Sequence, residues 1–442
     1  MTKISDIVYK SDIRLECRTD TNLRSRWCQC TTKKVRVAPN LAVAGPFRSG
    51  AAVAPGEEGC ADLHAITDLS MTRGAALCLT RLRVWQKSRG RGGKSPALLV
   101  SSILNATRYE IRLITLLDGA TVPVLKFSSY SPPPFFANGH FQTIFSNIRR
   151  VPNVNYQRER FITSDNDFLD IDSCIIGSDR TAIISYGLEG NSHRPYVLGM
   201  VRVLIRNGWN AVVWNFRGCS GEPNKKLRSY HCGDTEDLNT VLQFVLKEAN
   251  SRKIAMIGFS AGGSMLMKFL GEQGIEIAPY VSAAVGISVP CDLAGAVQKM
   301  GMRSNCIYSM RFLRMLRGKL QLKRQLFPGS IPNHIKKVKS LIEFDSVYTA
   351  PAHGFKDAYD YYHKSSCLPY LANIKIPSLL LNALDDPLLS RSCFPFSQAE
   401  SAPQLYLETP LNGGHVGFVS FNDQNEYWSE TRTLEFINEH AI

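Results

Sequence analysis

The chain has 442 residues, 44% of them hydrophobic, with 52 Lys and Arg against 38 Asp and Glu for a net charge of +14. That is enough chain for one large α/β domain with additions, or for two domains. No apolar run reaches transmembrane length, and the 12 cysteines are scattered without a paired framework, so a membrane span and a disulfide scaffold are both excluded.

Roughly nine of the surplus charges fall before residue 110, where basic residues outnumber acidic ones about two to one. The runs Arg24, Arg26, Lys33, Lys34, Arg36 and Arg81, Arg83, Lys87, Arg89, Arg91, Lys94 carry no aromatic interleaving and no nucleic-acid reader motif, so no nucleic-acid partner is expected. No sustained period of 2 or 3.6 crosses this region, which reads as a disordered basic extension over residues 1–120. The start has no signal-peptide pattern, and the unpaired cysteines point to a reducing compartment, the cytoplasm. The C-x-C at Cys28-Gln29-Cys30 has no second pair, and neither metal nor organic cofactor is predicted.

From about residue 121 the pattern becomes regular. A Pro-rich entry, Ser131-Pro132-Pro133-Pro134, leads to strand-like runs at Val154–Thr163, Phe168–Ile176 and Thr181–Tyr186. A helical run, Tyr196–Asn207, precedes a strand at Ala211–Asn215, which ends in Phe216-Arg217-Gly218-Cys219-Ser220-Gly221. Residues Asp234–Ala249 are helical, with Leu238, Val241, Leu242 and Val245 on one face. Further strands are expected at Ile254–Ile257, Ala283–Ser288, Pro377–Asn382 and Gln404–Glu408. Strands alternating with helices predict a mostly parallel sheet covered on both faces.

The densest chemical signal lies at Gly258-Phe259-Ser260-Ala261-Gly262, between an apolar strand and a helical run, Ser264–Leu270. A strand, G-x-S-x-G and a helix make a nucleophile elbow. Gly258 and Gly262 permit the sharp turn, and Ser260 stands exposed at a helix N-terminus. The orienting acid and the base should follow in that order. Asp386, in the loop after Pro377–Asn382 and before Pro387, is the chosen acid, with Asp385 as alternate. His415, in Gly413-Gly414-His415-Val416-Gly417, is the base. The loop Gly187-Leu188-Glu189-Gly190 after the Thr181 strand should supply one oxyanion N–H from Leu188, with Ala261 supplying the other.

Between Ser288 and Pro377 the alternation breaks into helical, basic, Met/Leu-rich sequence such as Met310-Arg311-Phe312-Leu313-Arg314-Met315-Leu316-Arg317. This reads as a helical lid inserted over about 289–376, after the sixth strand. Its basic and apolar faces suit a lipid or acyl chain and a membrane surface, or else pack on the core with the arginines in water.

Several further segments make the chain from about 130 to 440 resemble the YheT-type branch of the α/β hydrolases. They are Asn138-Gly139-His140-Phe141-Gln142-Thr143, Gly187-Leu188-Glu189-Gly190, Asn215-Phe216-Arg217-Gly218-Cys219-Ser220-Gly221, Tyr230-His231-Cys232-Gly233, Ser288-Val289-Pro290-Cys291-Asp292-Leu293, and Phe344-Asp345 with Tyr348-Thr349-Ala350-Pro351. The resemblance implies an α/β-hydrolase domain over 121–442 that hydrolyses carboxylic esters or acylglycerols through Ser260, Asp386 and His415. Tyr186 stands before Gly187, where the superfamily often has histidine. Small-molecule esters or lipids are the expected substrates. An acyltransferase using the same triad, or a non-catalytic binding module on the same scaffold, are the competing readings. The sequence is silent on oligomeric state.

Overall fold

The computed structural model describes residues 124–125, 127–149, 151–248 and 253–440. The basic extension expected over 1–120 lies outside the described residues.

Nine strands form one sheet, in the order β1-β9-β8-β7-β6-β4-β5-β3-β2. They are β1 (Val124–Leu125), β2 (Gln157–Ile162), β3 (Phe168–Cys174), β4 (Arg180–Ser185), β5 (Asn210–Asn215), β6 (Lys253–Phe259), β7 (Val281–Ile287), β8 (Ser378–Leu381) and β9 (Leu405–Glu408). Every pairing from β1 to β5 is parallel, and only β3 runs antiparallel to its neighbours β5 and β2. The central strands β5, β6 and β7 are buried nearly throughout, which is why they read as continuous apolar runs rather than alternating ones. In contrast, β2 at the edge is Gln-Arg-Glu-Arg-Phe-Ile and exposed, as an edge strand protected from further pairing should be.

Eight α-helices of eight or more residues lie among the described residues: α1 (Gly139–Ile148), α2 (Pro195–Arg206), α3 (Thr235–Glu248), α4 (Ala261–Gln273), α5 (Leu293–Met300), α6 (Cys306–Leu326), α7 (Ala358–Ser365) and α8 (Trp428–His440). Helix α4 follows β6 directly and is buried from Ala261 to Gly271. The chain from β7 to β8 is helical, as expected, and contains α5, α6, α7 and a π-helical turn at Asp345–Thr349. Its own small core gathers Leu313, Leu320, Ile335, Leu341, Phe344 and Tyr348.

The sequence reading omitted β1. Two residues are too few to show any period, and β1 exists only because β9 presents Leu407 and Glu408 for parallel pairing. With β1 counted, the helical segment follows the seventh strand.

Candidate active site

The carboxyl ends of β4, β6, β8 and β9 open onto one place, the usual position for a site in a parallel sheet. From β6 the chain turns into α4 through Ser260, whose φ of 50° and ψ of −119° lie where L-residues rarely sit. Such a conformation costs on the order of 1–3 kcal/mol and survives only where its surroundings enforce it. Here the Ser260 N–H donates to Ile287 O at 2.8 Å, and the Ser260 carbonyl accepts from Ser264 N–H at 2.9 Å. The flanking glycines are required by two separate contacts. A Cβ on Gly258 would lie 2.6 Å from Gly263 Cα and 2.7 Å from Gly262 O, inside the turn itself. A Cβ on Gly262 would lie 2.3 Å from Tyr186 O and 2.6 Å from Ser185 O, so that glycine answers to β4 rather than to Gly258.

The structure brings Ser260, His415 and Asp386 into a hydrogen-bonded series. Ser260 Oγ lies 2.8 Å from His415 Nε2, and His415 Nδ1 lies 2.8 Å from Asp386 Oδ2. The Asp386 side chain is wholly buried, and its other oxygen accepts the Leu388 N–H at 2.8 Å. Both carboxylate oxygens are thus held, which fixes the plane presented to the imidazole.

Asp385 points elsewhere. Its Oδ1 accepts the Gly414 N–H at 2.8 Å and its Oδ2 the Asn412 amide at 3.3 Å, so it secures the loop that carries His415. Burial pushes the Asp385 carboxyl above the ordinary range, against these two donors and with the charge of Asp386 adding to the rise.

The loop after β4 has an informative hydrogen-bond pattern. The Gly187 N–H donates to Tyr196 OH at 3.1 Å, and the Glu189 N–H donates to Tyr230 OH at 2.8 Å. Leu188 lies between these two engaged amides. A Cβ on Gly187 would be 3.1 Å from Ser260 Cβ, so this backbone runs directly against the serine. Burial raises the pKa of both tyrosines and keeps their hydroxyls protonated. Tyr186 is also buried, where its hydroxyl accepts the Phe216 N–H at 2.7 Å and ties the end of β4 to that of β5.

Several residues around His415 carried no assigned role in the sequence. The Asn138-to-Thr143 segment builds the wall behind the histidine loop. Asn138 caps α1 by accepting the Phe141 N–H at 3.0 Å. Thr143 Oγ1 donates to Gly139 O at 2.6 Å and accepts the His415 N–H at 2.8 Å. Ser288, at φ 54°, accepts the Val416 N–H at 2.8 Å, and Val416 itself sits at φ 55°. These partners are 272 and 128 residues from the loop they hold, and no local pattern encodes that proximity.

Ser260, Ala261, Leu188 and His415 line a cleft of about 990 Å³, its open mouth included. Its far wall comes from the helical segment: Leu293 and Met300 of α5, Phe312 and Leu316 of α6, then Leu341 and Phe344. One charged pair borders it. Lys319 of α6 meets Glu189 at 2.7 Å and Cys219 Sγ at 3.0 Å. Burial pulls the Lys319 ammonium down, but Cys219 and Glu189 outweigh it and hold its pKa above the ordinary value.

A mostly parallel sheet with a strained serine between its sixth strand and a buried helix, hydrogen-bonded to a histidine after its last strand, defines the α/β-hydrolase class of architecture. Residues 183–421 match the family model described as alpha/beta hydrolase fold. The chain is 33% identical over 333 residues to YheT of Escherichia coli (strain K12), covering 72% of this chain and 96% of that protein. It is 29% identical to phospholipase ABHD3 of Homo sapiens, covering 66% and 74% of the two chains. It is 31% identical to medium-chain fatty acid ethyl ester synthase/esterase 2 of Saccharomyces cerevisiae, covering 58% and 61%. The chain belongs to the α/β-hydrolase family, in its YheT-type branch.

Proposed function

We propose that the protein is a serine hydrolase of carboxylic esters. The observation that carries this is the series Ser260 Oγ, His415 Nε2, His415 Nδ1 and Asp386 Oδ2, with both contacts at 2.8 Å, on the floor of an apolar cleft. His415 takes the hydroxyl proton as Ser260 Oγ attacks the ester carbonyl carbon. Asp386 holds the imidazole tautomer and stabilises the imidazolium. The carbonyl oxygen becomes an oxyanion between the N–H groups of Leu188 and Ala261, each worth about 3 kcal/mol. The engagement of the amides on both sides of Leu188 supports its place in that pair. The C–O bond then breaks, and the alcohol leaves with the proton from His415. Water, deprotonated by His415, attacks the acyl-enzyme and releases the acid.

The names of the relatives support ester substrates: the human one is a phospholipase, and one from yeast is a monoacylglycerol lipase. The helical segment over 289–376 acts as the lid, and its Phe312, Leu316 and Phe344 wall suits an acyl chain. A second acceptor is favoured by the yeast relative whose name couples ester synthesis with hydrolysis. With an alcohol in place of water, the same acyl-enzyme yields a new ester.

The test is a series of p-nitrophenyl esters of rising chain length, assayed alongside a fluorophosphonate probe. Hydrolysis and labelling should both disappear in Ser260→Ala. Labelling that persists in that variant would overturn the assignment. Added ethanol should divert part of the acyl product to ethyl ester, and acid as the sole product would remove the second acceptor.

A further inference from the structure

Helix α1 is amphipathic in the reverse sense. Its polar residues Gln142, Thr143 and Ser146 are buried, while Phe141, Ile144 and Ile148 are 46%, 47% and 68% exposed. These three occupy one helical face at i, i+3 and i+7. Of these inward residues Thr143 accepts the His415 N–H and Gln142 the Val419 N–H, but those contacts do not require apolar residues outside. Phe141 continues the face into a cluster of rings, with Phe136 at 4.8 Å between centroids and Phe421, itself exposed, 5.2 Å beyond.

A second face adjoins it. The His140 ring stacks on Tyr308 of α6 at 5.8 Å, its Nδ1 is 3.1 Å from Tyr308 OH, and Arg311 Nη1 donates to Asn147 at 3.5 Å. Next to Tyr308, Ile307 and Met310 are 64% and 61% exposed. Neither α1 nor α6 contains an acidic residue. Arg303, Arg311 and Arg314 are exposed, and none of them enters an ion pair among the described residues.

We propose that α1 and the amino-terminal half of α6 form one docking surface for an anionic lipid bilayer. Apolar side chains at helical spacing with unpaired arginines beside them are what an interfacial membrane surface requires: the first enter the acyl boundary, and the second meet lipid phosphates. The charge complementarity selects this occupant over a second copy of the chain, because two such faces would bring like charges together. No helix among the described residues is long and apolar enough to cross a membrane, so the contact lies on the bilayer. Helix α6 lines the cleft through Phe312 and Leu316, and α1 holds the loop of His415, which also lines it, through Thr143, so docking brings the cleft close to the lipid.

The experiment is sedimentation of the full chain with vesicles of phosphatidylcholine alone and of phosphatidylcholine mixed with phosphatidylglycerol. Binding should be at least about tenfold stronger to the anionic vesicles and should weaken as salt rises. Ile144→Ser/Ile148→Ser and Arg311→Gln/Arg314→Gln should each weaken that binding about tenfold, with hydrolysis of a soluble short-chain p-nitrophenyl ester unchanged. The arginine pair leaves the apolar face intact, so the test stands even if the isoleucine pair folds poorly. Failure of the full chain to bind anionic vesicles overturns the proposal, as does binding unchanged in both variants. Sedimentation as a dimer that Ile144→Ser/Ile148→Ser dissociates assigns the face to a second copy, which also overturns it. Sedimentation needs no turnover, so its failure leaves the reading of the triad standing.

Discussion

The two walls of the cleft are built by different physics. The sheet side is fixed by backbone against backbone. Imagined Cβ atoms on Gly262 and Gly414 fall 2.3 Å from Tyr186 O and 2.4 Å from Gly139 O, distances at which nothing can be inserted. The helical side is fixed by buried polar side chains: Lys319 on Glu189, Lys323 on the carbonyls of Leu227 and Arg228, and Asp345 under Tyr362 and Thr349. A wall of the first kind leaves no room for the backbone to shift. A wall of the second kind can be tuned by one charge, which suits the side that shapes substrate. Substitutions on the two sides should therefore fail in different ways.

The largest effect belongs to the sheet side. Asp386→Asn keeps the shape but favours the wrong imidazole tautomer, and kcat should fall on the order of 10⁴-fold. Asp385→Asn can lose only the hold on Gly414 and Asn412, so its loss should be far smaller, about tenfold. Parallel kinetics on the two variants decide the matter, and a larger loss from Asp385→Asn would reverse their roles.

Next comes the ion pair that joins the walls. Lys319→Met leaves Glu189 buried and unpaired beside Leu188, which should lower stability by about 3–5 kcal/mol. The double variant Lys319→Met/Glu189→Gln should recover most of that loss, since replacing both partners removes the stranded charge. Thermal melts of the single and double variants measure the coupling, and additive losses would show that the pair does not hold the helical segment to the loop after β4. Gly262→Ala should lower stability by about 3 kcal/mol, because the new methyl must displace β4 backbone. Unlike the ion pair, it should have no second-site rescue by a charge change.

The same contrast explains what could be read from sequence. The central strands β5, β6 and β7 read as mostly apolar runs because both faces of the sheet are covered there, and the alternation of strands with helices pointed to the fold class without any contact information. Ser260, Asp386 and His415 stand out because each is flanked by residues that local backbone geometry demands: Gly258 and Gly262, Pro387, and Gly413 with Gly414. Thr143 and Ser288 had no such flanks. Each is an ordinary hydroxyl whose partner is a backbone N–H far along the chain. The buried ammonium of Lys319 was equally hidden, since on a helix with five other Lys and Arg residues it is indistinguishable from a solvated charge. The edge strand β1 was missed because its existence depends wholly on β9.

The smallest effect is a pH dependence confined to the helical wall. Burial pushes the Asp345 carboxyl up to about 6 from its ordinary 3.8, against hydrogen bonds from Thr349 and Tyr362, both at 2.6 Å. Burial also raises the neighbouring Cys232 thiol, to about 11, and the Tyr361 and Tyr362 hydroxyls still further, so none of them titrates in the same window. The folded state binds this proton more tightly than the unfolded chain does. Its contribution to stability is therefore fully present below pH 3.8 and is lost as pH rises through about 6. The whole shift is worth on the order of 3 kcal/mol. Asp345→Asn has no proton to lose, so it should flatten that part of the stability profile and gain on the wild type as pH rises from 4 to 6. Asp234, whose carboxyl burial raises to about 7, remains in both proteins and cancels in the difference. Denaturant midpoints for the two proteins across this range give the difference directly. A constant gap would mean that Asp345 does not take up a proton on folding. The same substitution on the sheet side, Asp386→Asn, should instead be read in kcat, which keeps the two walls distinguishable by which measurement moves.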